Sequence, residues 1–207
     1  MKKLISSVMA GIYIGLGATT YLMTDNKVAG SFFFCVGIFL VINFYSMLYT
    51  KVVPCIPFKN YSVPDIGIAF IGNLIGGVLY AFLISQTRLS DKISDKITAL
   101  IEVKINDSYI SIFIMSIFCA VLVAYATFSD RVYPDNKLLS VIFTFLFIMA
   151  FVMCGFDHVV ANMFYYSFYA INNGFKANIL PSFLIVLAGN TFGGLAIGYL
   201  EKYRCKN

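Results

Sequence analysis

The chain has 207 residues, of which 60% are hydrophobic and 12% charged, and its formal net charge is +5. A soluble domain carries about 25% charged residues, so this composition excludes an ordinary soluble protein and indicates an integral membrane protein. The excess positive charge comes from the termini and loops, where it suits membrane flanks and requires no nucleic-acid partner.

Six apolar runs follow one another, and each can cross a hydrocarbon core of about 30 Å as a helix. The first follows Lys2 and Lys3 like a signal peptide, but no polar domain follows it, so we expect a retained helix. The scattered cysteines lack metal-ligand spacing, so we predict no disulfide, metal site or cofactor. The runs cover residues 4–23, 29–48, 64–85, 108–128, 137–153 and 179–200.

The polar segment between the third and fourth runs has a helical period. Leu89, Ile93, Ile97 and Ile101 are spaced four apart with charges between them. We predict an amphipathic helix that lies on the surface or caps the bundle. Six spans place both termini on one side, which carries eight Lys and Arg residues against six on the other. This bias favours cytoplasmic termini in an inner or plasma membrane.

An internal repeat divides the chain. The third run contains GNLIGG at residues 72–77, and the sixth contains GNTFGG at residues 189–194, which places Asn73 opposite Asn190. Their glycines are expected at helix contacts. We predict one domain over residues 1–207, with three-helix repeats over about 1–86 and 108–200 and a connector over about 87–107. Because each repeat has an odd number of helices, the two repeats must insert with opposite topology.

The second and fifth helices are predicted to be broken. Pro54 and Pro57 remove backbone donors in the first interruption, and Gly155 loosens the second. The only histidine, His158, follows Asp157 in the second interruption, and an ionisable group inside a membrane is a candidate functional residue. Paired breaks indicate a solute site near the midplane. The predicted fold is an all-α polytopic membrane protein with an aquaporin-like arrangement of two inverted repeats.

These residues resemble the formate/nitrite transporter family, which comprises pentameric bacterial anion channels and includes hydrosulfide channels. The strongest segment is GFDHVVANMF at residues 155–164, which is similar to the family's G-F-E-H-x-x-A-N-M-F. AGIYIGLGA from Ala10, LYT from Leu48, IFCAVLVAYA from Ile117 and GNTFGG support it. The resemblance implies a homopentamer in the lipid bilayer, with a pore in each protomer for a small monovalent weak-acid anion and, where transport is coupled, a proton.

The resemblance also implies roles for individual residues. His158 becomes the central pore residue, with Thr50 and Asn190 hydrogen-bonding around it. Most other Phe and Tyr residues are interpreted as lipid-facing or packing groups. The remaining implied residues are Leu48 and Ile38 at a cytoplasmic constriction, Phe34 and Phe151 at an external constriction, and Asp157, Asn162 and Asn73 as structural residues near the pore.

Lys51 is unusual, because a cation at membrane depth is costly unless it is paired or hydrated. If the two halves superpose Thr50 on His158, then Lys51 and Asp157 flank the local twofold axis. We therefore expect Lys51 either to pair with Asp157 or to attract anions to the pore. In the alternative, Lys51 reaches a water-filled vestibule without a selective role.

Other function classes are less well supported. A neutral-solute channel of the aquaporin or ammonia type shares the broken helices and is the main alternative. A membrane scaffold without a pore would require that no water reaches the two helix breaks and that His158 is dispensable. One histidine without a second metal ligand, an HExxH helix or a GxSxG elbow cannot assemble the usual hydrolase sites, so no enzyme is predicted. Hydrosulfide, formate and nitrite all stay open, with hydrosulfide slightly favoured by departures from the family pattern at Met47, Lys51, Met115 and Ala120.

Overall fold

The structure is a computed structural model that describes residues 1–204. This part of the chain consists of helices joined by turns and non-helical connections, and it contains no β-strand. The helices are α1 (Lys2–Leu22), α2 (Lys27–Asn43), α3 (Tyr49–Cys55), α4 (Val63–Ser85), α5 (Ser90–Asn106), α6 (Tyr109–Thr127), α7 (Ser129–Val132), α8 (Lys137–Cys154), α9 (Val159–Asn173) and α10 (Ile179–Arg204).

Five helices are long and apolar enough to cross a membrane, namely α1, α4, α6, α8 and α10. Helix α2 is apolar but shorter, with 17 residues. The outward faces are strongly apolar: Ile75 and Phe82 of α4, for example, are 46% and 52% exposed. Such faces suit contact with lipid or with another apolar surface.

Two helix pairs form the most extensive contacts, α1 with α4 and α6 with α10. Glycines allow their backbones to touch. A Cβ atom on Gly76 would lie 2.1 Å from the carbonyl oxygen of Val8, and one on Gly193 would lie 2.7 Å from that of Ile117. The repeated glycines therefore serve helix contacts, as the sequence predicts.

Helix α5 is the predicted amphipathic helix, and it packs against α9 and α1. Its side chains Ile93, Ile97 and Ile101 are completely buried. Lys96 donates hydrogen bonds to the carbonyl oxygen of Leu22 at 2.7 Å and to Asp25 at 2.8 Å. The hydrogen bond and charge of Lys96 lower the pKa of Asp25. Apolar burial and these polar contacts together fasten α5 to the bundle.

The helical path is broken between α2 and α3 and again between α8 and α9. The first break covers residues 44–48, and Pro54 lies inside α3 beyond it. The prediction that Pro54 and Pro57 cause the first break is therefore wrong. The second break covers residues 155–158 and begins at Gly155, as the sequence predicts.

Both breaks begin with the same helix-ending geometry. Tyr45 has φ 52° and Gly155 has φ 71°, so each residue is in the left-handed region. Glycine adopts this conformation readily, whereas a tyrosine is strained there. In each case the next N–H donates to a carbonyl five residues back, which is the Schellman motif. These hydrogen bonds run from Ser46 to Val41 at 2.9 Å and from Phe156 to Phe151 at 3.1 Å.

The matched breaks correct the expected alignment of the two halves. Leu48 is the N-cap of α3 and His158 is the N-cap of α9, each three residues after the left-handed residue. By this register His158 corresponds to Leu48 and not to Thr50, so the superposition of Thr50 on His158 considered from the sequence does not hold. Thr50 corresponds to Val160, the second residue of α9.

Candidate functional site

Asn73 of α4 holds the first break in place. Its Oδ1 accepts a hydrogen bond from the backbone N–H of Tyr49 at 2.7 Å. Its Nδ2 donates to the carbonyl oxygens of Met47 at 2.9 Å and Ser7 at 2.8 Å. The side chain thus supplies hydrogen-bond partners for backbone groups at the start of α3 and in the first break, and it joins the break to α1. Buried backbone groups require such partners.

Asn190 of α10 repeats this arrangement at the second break. Its Oδ1 accepts from the N–H of Val159 at 2.9 Å, and its Nδ2 donates to the carbonyl oxygens of Asp157 and Ser116, both at 2.8 Å. Both amide hydrogens are therefore donated to the backbone and not to the ring of His158. Asn190 positions the second half-helix in the same way that Asn73 positions the first.

His158 connects the two half-helices at their starts, and it is only 3% exposed. Its Nδ1 accepts a hydrogen bond from the N–H of Ala161 at 3.1 Å, and its Nε2 lies 2.9 Å from Oγ1 of Thr50. Because a backbone N–H can only donate, this pattern assigns a lone pair to Nδ1 and, in the neutral ring, the proton to Nε2. The imidazole then donates to Thr50, whose own hydroxyl hydrogen stays available.

Two aromatic rings stand beside His158. The ring of Phe151 stacks on the imidazole with centroids 5.7 Å apart, and Phe34 meets Phe151 edge-on at 5.5 Å. All three rings border a cavity of about 60 Å³. This inner cavity has room for a few water molecules or a small ion. The residues predicted for the external constriction are thus brought together with the histidine.

Asp157 pairs with Lys104 of α5 through a salt bridge. Nδ2 of Asn162 lies 3.4 Å from the same carboxylate oxygen. The expected pairing of Asp157 with Lys51 is therefore wrong. Sequence reasoning missed Lys104 because the amphipathic pattern of α5 already accounts for a charge at that position.

Lys51, Leu48 and Ile38 lie away from the inner cavity. Nζ of Lys51 is 3.5 Å from the carbonyl oxygen of Ser46 in the first break. Leu48 and Ile38 are 0% and 1% exposed within the main hydrophobic core. Neither contributes to the walls of the inner cavity.

A larger cavity of about 640 Å³, here called the vestibule, adjoins the inner cavity. The two cavities share Tyr21, Leu100, Lys104 and Gly155 in their walls, so they are adjacent. Acidic and basic side chains line the vestibule in equal numbers. They are Lys27, Lys96 and Lys104 with Asp25, Asp107 and Asp157.

Interrupted helices that place a buried ionisable residue beside a cavity are typical of membrane transport proteins. Residues 1–203 match the family model described as formate/nitrite transporter. The chain belongs to the formate/nitrite transporter family, as its sequence motifs indicate. Because this is a family of channels and transporters, membership also confirms that the protein is not an enzyme.

Individual relatives agree with this assignment. The chain is 34% identical over 154 residues to "Uncharacterized transporter YrhG" of Bacillus subtilis (strain 168), a match that covers 68% of the chain and 56% of that protein. The match thus spans little more than half of the relative's length.

Two solved structures share the fold. One is described as "FNT family ion channel", with a TM-score of 0.84 and 23% identity over 100% of this chain and 90% of that one. The other is "Pentameric formate channel with formate bound", with a TM-score of 0.82 and 22% identity over 99% and 96% of the two chains. The all-helical channel fold is thereby confirmed, and the protein is a multi-pass membrane protein.

Proposed function

We propose that the protein conducts small monovalent weak-acid anions, of the formate, nitrite or hydrosulfide type, along a path that passes His158. The observation that carries this proposal is the hydrogen bond between His158 and Thr50, which joins the two half-helix starts beside the inner cavity. Family membership supports transport, and the relative solved with formate supports a small anion.

The proposed path answers a physical difficulty. Moving a bare anion into a medium of dielectric about 4 costs of the order of 20 kcal/mol, far more than one hydrogen bond returns. The starts of α3 and α9 aim backbone N–H dipoles toward the passage, and His158 adds an Nε2–H donor where the two half-helices meet. An anion can therefore cross with its charge screened or as the neutral acid after taking up a proton.

Two apolar constrictions would flank the histidine. Phe34 and Phe151 form the external one in this proposal, and Leu48 with Ile38 forms the cytoplasmic one. Apolar walls remove water from an inorganic cation without offering replacement oxygens, so they disfavour cations.

Lys51 is proposed to attract anions to the cytoplasmic side. Replacing Lys51 with Met tests this role, because the substitution removes the charge but retains the apolar stem. A lower anion flux with unchanged protein recovery is expected. An unchanged rate and selectivity would exclude the role.

The proposed architecture is one domain over residues 1–207, of which 205–207 lie outside the described part. It consists of two inverted three-helix repeats with α5 between them, and the spans of the second and fifth helices are shared by α2 with α3 and by α8 with α9. The matched breaks and the matched contacts of Asn73 and Asn190 support it.

Assembly and orientation complete the proposal. The pentameric relative supports a homopentamer with a pore in each protomer, which native mass spectrometry of the purified protein can test. The distribution of Lys and Arg supports termini on the cytoplasmic side. The membrane is proposed to be the inner or plasma membrane of the cell.

Flux into proteoliposomes tests the function directly. Formate, nitrite and hydrosulfide are compared with water and glycerol, using liposomes without protein as the control. Saturable movement of one or more of the weak-acid anions is expected. Movement of water or glycerol without anion flux would instead establish the neutral-solute channel.

A further inference from the structure

The inner cavity has polar side chains that the proposed path does not use, among them Tyr21 and Tyr165. Tyr165 of α9 lines this cavity together with Lys104, Asn162 and His158. Its side chain is only 7% exposed. No hydrogen-bond partner for its hydroxyl group is found among residues 1–204. No fully buried side-chain oxygen or nitrogen in this part of the chain lacks a partner, so the unpaired Tyr165 hydroxyl is open to the cavity and is placed to bind a solute there.

The other polar groups around Tyr165 complement an anion. The ammonium of Lys104 has three hydrogens, and its bond to Asp157 engages one of them. The carboxylate of Asp157 lines the vestibule, whereas Lys104 lines both cavities. The inner cavity therefore contains a cation and hydroxyl, amide and imidazole groups but no carboxylate in its wall.

We propose that Tyr165 belongs to a binding subsite for small oxyanions, which lies between the vestibule and His158 and in which the Tyr165 hydroxyl and Lys104 donate hydrogen bonds to the solute. This inference rests on the proposed function and adds a substrate class to it. Formate and nitrite present two oxygen acceptors and can accept from both donors at once. Hydrosulfide presents a single sulfur, which is a weaker acceptor.

Tyr166 provides a matched control for Tyr165. It is the next residue, it is buried to a similar degree, and its hydroxyl is already bonded to Ser182 at 3.0 Å. It does not line the inner cavity. Tyr165→Phe and Tyr166→Phe thus remove the same atom from neighbouring positions, one facing the solute path and one facing α10.

The experiment measures the concentration dependence of formate, nitrite and hydrosulfide flux in proteoliposomes. For Tyr165→Phe we expect the KM for formate and nitrite to rise about two- to tenfold, the range for one lost hydrogen bond, with a smaller change for hydrosulfide. Tyr166→Phe should keep the wild-type KM for all three. Thermal unfolding in detergent verifies that both variants are folded, and Tyr165→Met serves as a second variant without a hydroxyl group.

The outcomes separate this inference from the proposed function. If wild-type protein moves anions but Tyr165→Phe has the KM values of Tyr166→Phe, the subsite is wrong while the proposed function stands. A KM that rises equally for hydrosulfide overturns the selection of oxyanions. Absence of anion flux in the wild-type protein itself overturns the proposed function.

Discussion

His158 has two tasks that limit what can replace it. Its Nδ1 accepts from the N–H of Ala161 and so caps α9, while its Nε2 meets Thr50 of the other half-helix. The sequence alone marks this histidine, because an ionisable side chain inside an apolar run requires a reason. The capping role was not predictable, since it depends on the local conformation in which α9 begins.

His158→Asn separates the two tasks. Asparagine is a favoured N-cap whose amide oxygen can accept from Ala161, but it has no ring nitrogen to meet Thr50. We expect a folded protein with anion flux reduced about ten- to a hundredfold, the equivalent of one charge-assisted hydrogen bond of about 1.5–3 kcal/mol. Flux in proteoliposomes and thermal unfolding in detergent measure the two effects. Wild-type flux in this variant would contradict a central role for the imidazole.

At the scale of elements, the two breaks were not equally predictable. Gly155 indicates the second break in the sequence, because glycine is the usual residue in the left-handed position after a helix. The first break uses Tyr45 at that position, and nothing in its local sequence indicates a positive φ. Because Pro54 and Pro57 are predicted to cause the first break, its predicted position lies several residues after the observed one. Pro54 is tolerated inside α3, a helix of only 7 residues.

Exchanging the residue types at the two breaks should change stability in opposite directions. Tyr45→Gly relieves a left-handed tyrosine that is 78% exposed, so we expect an increase of about 1 kcal/mol in the free energy of unfolding. Gly155→Ala forces an alanine to φ 71°, although nothing lies within 4 Å of its Cβ, so we expect a loss of similar size, about 1 kcal/mol. Unfolding in detergent measures both variants. Gly67→Ala is the control, because its Cβ is also free of contacts and its φ is not positive.

The repeated GN motif indicates Asn73 and Asn190 in the sequence. Their hydrogen bonds to the two breaks could be identified only in the structure. In Asn73→Asp or Asn190→Asp, the oxygen that replaces Nδ2 faces two carbonyl oxygens. We expect each variant to lose about 2–6 kcal/mol, from two acceptors left without donors at about 1–3 kcal/mol each. Thermal unfolding measures this loss. Asn43→Asp makes the same chemical change at an exposed position, where its amide bonds Phe39, and should have little effect.

At the scale of the whole molecule, α5 contacts segments from both halves of the chain. Lys96 binds the turn after α1, Lys104 binds the second break, and Glu102 pairs with Lys176 between α9 and α10. The apolar period of α5 was visible in the sequence, and so was its helical structure. The partners of its charges were not, because they lie 53 to 74 residues away along the chain.

The Lys104–Asp157 salt bridge joins α5 to the second break, next to His158. Its side chains are 14% and 5% exposed, so breaking the pair leaves a buried charge. Lys104→Met leaves the Asp157 carboxylate, the more buried partner, without a counterion, and should lower the free energy of unfolding by about 3–5 kcal/mol. Asp157→Asn should cost less, because the ammonium of Lys104 can turn toward water in the vestibule.

The double variant decides whether the two charges act as a pair. With both charges removed, no buried charge is stranded, so its loss should be smaller than the sum of the single losses by about 1–3 kcal/mol. Unfolding of the four proteins in detergent provides this cycle. Lys92→Met, on the exposed face of α5, controls for the loss of a lysine and should change stability by less than about 0.5 kcal/mol. Strictly additive losses would show that Lys104 and Asp157 do not act as a pair, and that α5 is held by its buried isoleucines and its other polar contacts.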